Sequence, residues 1–112
     1  MAVNVNVQNP ASLLALVKRG IDERAIQTWA YDGDGDFTHS AQQWNRQAWL
    51  RPSLENGRLV LNIIGPQGQA VSKEIYGIYH GRFIEMLLVH FDDKFSSADA
   101  TAMPTYADAL SA

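Results

Sequence analysis

The stretch from Ser72 to Phe91 constrains this chain more than any other. Ile75, Ile78, Tyr79, Met86 and Val89, with Tyr76, Phe83, Leu87 and Phe91 beside them, recur at three- and four-residue spacing, the period of an α-helix. Ser72 suits the cap, Lys73 and Glu74 fill the first turn, and the helix should end near Phe91–Asp93. Advancing 100° per residue collects Glu74, Gly77, Gly81, Glu85 and Asp92 on a narrow polar or small stripe, and leaves roughly two-thirds of the circumference apolar. One sheet face does not need so broad a surface. The pattern predicts a further neighbour: the first helix, the tail, or a second copy of the chain. Gly81 is also a place where the helix can split.

The rest of the chain reads as a sheet with one earlier helix. Val3, Val5 and Val7 alternate with Asn4, Asn6 and Gln8, so residues 1–8 fit a half-buried strand or a flexible arm equally well. Asn9-Pro10 opens a first helix over about 10–19, with Gly20 as a left-handed C-terminal cap. Ala25–Tyr31 and Asp36–His39 are rich in strand formers and flank the turn Asp32-Gly33-Asp34-Gly35. Ala41–Arg46 fits a short helical turn, started by Ser40 and Gln43, or a continued strand. Ala48–Leu54 and Arg58–Ile64 flank Asn56-Gly57, a strong hairpin signal in which both central residues tolerate positive φ. Apolar residues on both faces of Arg58–Ile64 predict a central strand, and Pro52 confines its own strand to an edge or a bulge. Residues 96–112, dominated by Ala, Ser, Thr and Asp, read as a tail or surface loop. The expectation is an α+β single domain over 1–112: an N-terminal helix, an antiparallel meander of three or four strands, and a long C-terminal helix packed on one sheet face.

Composition removes several function classes. The net charge of -3 and the scattered basic residues argue against nucleic acid and against an anionic membrane surface. Helix–three strands–helix is also the order of double-stranded RNA-binding domains, but the basic side chains by which that family is recognised are missing, and order alone is not function. The chain holds no cysteine, which removes disulfides, thiolate metal sites and cysteine nucleophiles. Neither a signal segment nor an apolar run of membrane-spanning length is visible, so a cytoplasmic address is the default.

Candidate functional residues are few. Arg82 falls inside the apolar arc of the long helix, where it must be paired or snorkel outward. With His80, His90, Tyr79 and Trp29 it outlines a ligand- or anion-binding pocket between helix and sheet; paired with Glu85 it is only an ion pair. Gly77 and Gly81, with Tyr76, Phe83 and Leu87, outline an interface for close approach, or packing within the chain. Asp32, Asp34 and Asp36 alternate as at the start of a calcium loop, but Phe37 and Gln43 stand where that loop needs Gly and Glu, so a solvated hairpin tip is expected. No catalytic motif is present and no cofactor is expected. The sequence therefore favours a noncatalytic interaction domain whose partner is itself, a homodimer held through surplus apolar surface of the helix at about 72–91 or through the aromatic sheet of Trp29, Tyr31, Phe37, Trp44 and Trp49. A small-molecule or anion-binding domain, enzymatic or not, is the alternative. A calcium-responsive loop comes third.

Overall fold

The computed structural model describes residues 2–103 and Asp108. Its elements run β1 (Ala2–Asn6), α1 (Pro10–Asp22), β2 (Trp29–Tyr31), β3 (Phe37–His39), β4 (Trp49–Glu55), β5 (Arg58–Ile64), α2 (Lys73–Phe91) and β6 (Ser97–Ala100). The α+β class is as expected. The chain begins with a strand rather than the helix, however, and the antiparallel sheet has six strands in the order β2-β3-β4-β5-β1-β6. No helix is long and apolar enough to cross a membrane, among the described residues.

The N-terminal alternation resolves as a strand in the sheet interior. β1 pairs with β5 from Ala2↔Asn62 to Asn6↔Arg58, and with β6 from Val3↔Ala100 to Asn6↔Ser97. Val3 and Val5 are fully buried. The asparagines, poor strand formers by themselves, use the other face: Asn4 Nδ2 donates to Asp99 Oδ1 at 3.3 Å and Asn6 Nδ2 to Ser97 Oγ at 2.9 Å. Those bonds explain why part of the expected tail is a strand. Pro104–Ala107 and Ala109–Ala112, also in that tail, lie outside the described residues. Asp108 closes the top of β5, accepting from Asn62 Nδ2 at 2.9 Å and the Ile63 amide at 3.0 Å, one residue past the end of β1.

Both helices cover one face. Leu59, Leu61 and Ile63, which alternate to one side of β5, form one core with Leu13 and Val17 of α1 and Tyr76, Tyr79, Phe83, Met86 and Leu87 of α2. Each fully buried Leu or Phe contributes about 1.5–3 kcal/mol. α1 starts as predicted, with Asn9 Oδ1 accepting from the Ser12 amide at 3.1 Å and Pro10 in the first turn. It does not stop at Gly20. The left-handed residue beyond its end is Arg24, φ 61°, and Gly20 serves packing instead: a Cβ there would stand 2.8 Å from Ile26 Cδ1 and 3.6 Å from Phe91 Cζ.

The central hairpin falls where expected, with Glu55 opposite Arg58. Only Gly57 takes positive φ, at 74°; Asn56 does not. β5 is central, as its two apolar faces predicted. Pro52 is tolerated because the β3 ladder touches β4 only at Phe37↔Leu50, so the missing amide hydrogen of residue 52 has no partner to lose on that side. Residues 41–47 do not continue the strand; they make a single turn of helical pattern, closed by the Asn45 amide on Ala41 O, four residues back, at 2.8 Å. Ser40 does not cap it; its Oγ donates to Gln27 O at 2.7 Å.

That turn is held by α2. The Tyr79 hydroxyl donates to Trp44 O, lies 2.9 Å from Thr38 Oγ1 and accepts from the His39 amide at 3.4 Å. Thr38 Oγ1 in turn accepts from the Arg46 amide at 3.0 Å and lies 2.9 Å from Ala48 O. Removing one oxygen strands several buried groups at once. Tyr79→Phe should therefore cost about 1–3 kcal/mol in urea unfolding, and amide exchange over residues 41–47 should accelerate relative to β1 and β5.

Candidate functional site

α2 is one unbroken helix from Lys73 to Phe91, capped by Ser72 Oγ on the Ile75 amide at 3.2 Å. Its buried residues are Tyr76, Tyr79, His80, Phe83, Met86 and Leu87, an arc of about one-third of the circumference at 100° per residue. Ile75, Ile78, Ile84 and Phe91 are half-buried at its borders. Tyr76, Phe83 and Leu87, expected at an interface, are thus core residues of this chain.

The phase of that arc relocates the other candidates. Arg82 is not inside the packed face but out in solvent, with its Nη1 3.2 Å from Glu85 Oε2. Such an exposed i,i+3 pair is worth about 0.2–0.5 kcal/mol. His80 points about 160° away from Arg82 around the helix. It is buried, stacked on Tyr76 at 5.8 Å, and its Nδ1–H donates to Tyr76 O at 2.8 Å, because a carbonyl can only accept. His90 is exposed at the helix end. Arg82, His80 and His90 therefore occupy three separate environments, and only Trp29 and Tyr79 of that set meet, with ring centroids 5.6 Å apart.

Beside those two rings sits a residue with no signal in the sequence to mark it. His39 is buried, 5.1 Å from Trp29 and 6.5 Å from Tyr79, and its Nδ1 accepts from the Ala41 amide at 3.1 Å. The neutral ring then carries its proton on Nε2. Burial, and next the nearby Arg82 charge, push its pKa below the ordinary value, while Glu85 opposes them. In the sequence His39 was only the end of a short strand, three residues from Asp36, with no spacing to mark it.

The three aspartates do converge: ligand oxygens of Asp32, Asp34 and Asp36 lie within 4.8 Å of one another. Their hydrogen bonds have an internal explanation. Asp32 Oδ1 accepts from the amides of Asp34 and Asp36, both at 3.0 Å. Asp36 is buried and gripped by Arg51, Nε to Oδ1 at 3.1 Å and Nη2 to Oδ2 at 2.8 Å. A metal ion would have to displace a two-point guanidinium contact.

What remains exposed on α2 is its outer stripe. Among the described residues, a Cβ built on Gly77 or Gly81 meets nothing within 4 Å, so these glycines do not accommodate packing against any of them. Leu88 follows on the same stripe and is 54% exposed; Val89 beside it is 69% exposed. Leu88 could have been found in the sequence, being seven residues beyond Gly81 and so on its face.

Sheet, helices and this bare stripe define an α+β protein with both helices on one sheet face and one helix left open outward. Comparison with known families, curated proteins and solved structures gives no match for the chain.

The lowered pKa of His39 fixes a sign. The unfolded chain takes up this proton first, so the contribution to stability is complete above about pH 6.5 and is lost as pH falls toward and through the lower folded value. Urea midpoints taken between about pH 7.5 and about pH 5.5 should fall with pH in the native chain and more shallowly in His39→Gln. The His39 ring resonances should titrate below the ordinary histidine value.

Proposed function

We propose that this protein is a noncatalytic interaction domain that pairs with a second copy of itself through the outer stripe of α2. The observation that carries the reading is the open space above Gly77 and Gly81. Each glycine costs about 1 kcal/mol against alanine in a helix interior, and none of the described residues uses the closeness it permits. A second backbone would use it. Ile84 and Leu88 extend the same stripe, one half-buried and one exposed, so an approaching helix would find apolar surface as well as room.

A two-fold pair would set this same surface of each copy against the other, as a self-complementary interface requires. One helix pair makes a small interface, so association should be reversible and concentration-dependent. A cytoplasmic setting belongs to the same proposal and is compatible with a chain that holds no cysteine.

Sedimentation velocity over a concentration series should show a monomer–dimer equilibrium. Leu88→Glu should move it to monomer without unfolding the chain. Gly77→Ala and Gly81→Ala should each raise monomer stability by up to about 1 kcal/mol while weakening the dimer, a split that a purely internal role does not produce. A native chain that stays monomeric at the highest concentration overturns the proposal.

A further inference from the structure

A cavity of about 530 Å³ lies where β2, β3 and the start of β4 meet the turn 41–47, within the usual range for small-ligand sites. Ala30 and Thr38, paired in register, and the half-buried Trp49 give it an apolar base; Asp32, Asn45 and Arg46 stand at its edge. It shares no residue with the stripe on α2.

Three observations mark it as built rather than incidental. First, Arg46 is held at φ 59°, a conformation that costs an L-residue about 1–2 kcal/mol. Glycine would avoid that cost, and such departures concentrate at functional sites. Second, the turn carrying Arg46 is pinned through its own backbone, by the Arg46 amide on Thr38 Oγ1 and by Trp44 O on Tyr79. Third, the guanidinium of Arg46 and the carboxamide of Asn45 make no ion pair or side-chain hydrogen bond among the described residues, although the chain is acidic. The backbone is fixed and the side chains are left available.

The chemistry of the edge selects the ligand. Asp32 accepts only: its Oδ1 already takes two amides, and no such bond engages Oδ2 among the described residues. Arg46 donates only, and Asn45 does both. The positive group repels cations and the negative group repels anions, so neither sign of net charge is favoured. The Trp49 ring offers a flat apolar wall, as does Tyr31, whose hydroxyl is tied to Asp22 at 2.7 Å. We propose that this cavity binds a neutral, hydroxyl-rich ligand of monosaccharide to disaccharide size, with ring C–H groups against Trp49 and hydroxyls shared among Asp32, Asn45 and Arg46.

The test is a titration of the full chain, followed by amide and indole chemical shifts, with methyl glucoside, methyl galactoside, methyl N-acetylglucosaminide and maltose. Inorganic phosphate and adenosine form the charged and planar arms. At least one sugar should shift Ala30, Asp32, Thr38, Arg46 and the Trp49 indole at millimolar concentration. Asn45→Ala and Arg46→Gly should each weaken that binding about tenfold, the loss of a hydrogen bond to a polar group. Arg46→Gly also relieves the backbone, so its thermal midpoint should hold or rise, which separates lost binding from lost folding. The proposal is overturned if no sugar moves these resonances, if only phosphate or adenosine does, or if both variants bind as the native chain does.

Discussion

Tyr79 projects from the middle of α2 to a point where α2, β3 and the turn 41–47 come together. Its hydroxyl and that of Thr38 make three contacts with only two protons between them: to Trp44 O, to Ala48 O and to each other. Such a shared network is strong while complete and costly once a member leaves, because each buried polar group has no water to turn to. The ring adds to this, standing edge-on to Trp29, which in turn stands edge-on to His39 and Phe83. The seat of the long helix, the neutral state of His39 and the posture of Arg46 all rest on this junction.

The same helix is economical inward and generous outward. A marginally stable domain holds about 5–15 kcal/mol in total, and two glycines in one helix interior give up about 2 kcal/mol of that. Leu88 and Val89, 54% and 69% exposed, recover only part of what burial would give them. A sequence shaped only for the folded monomer would place alanine and polar residues there. Core packing among the described residues therefore accounts for the inward face of α2 and leaves the glycines and apolar residues of the outer stripe unexplained.

Much of the fold was legible because it obeys simple periods. The limits of β5, the cap at Ser72, the start of α1 and the hairpin at Asn56-Gly57 follow from alternation and turn chemistry. The misses have physical causes. The sequence Ser97–Ala100 carries no apolar period, since it earns its place by pairing with β1 and by bonds to Asn4 and Asn6, both more than ninety residues away. Gly20 looks like a cap until Ile26 and Phe91 are brought beside it. Arg82 seemed enclosed because counting apolar residues gives the width of a helix face but not its centre; the core chose Tyr76, Phe83 and Leu87 as that centre. The polar edge at Asn45 and Arg46 was invisible for a related reason. A turn of polar residues has no period at all, and its meaning lies in what holds it.

The placing of β1 has a consequence for synthesis. In chain order this strand is made well before both neighbours that satisfy its backbone, β5 and β6. At about 5–20 residues per second, several seconds pass before β5 emerges. Throughout that interval Val3, Val5 and the α1 stripe of Leu13 and Val17 have no sheet to lie on. The strand must wait, exposed to whatever chaperones attend the exit tunnel, and the sheet closes around it only once β5 and then β6 have followed.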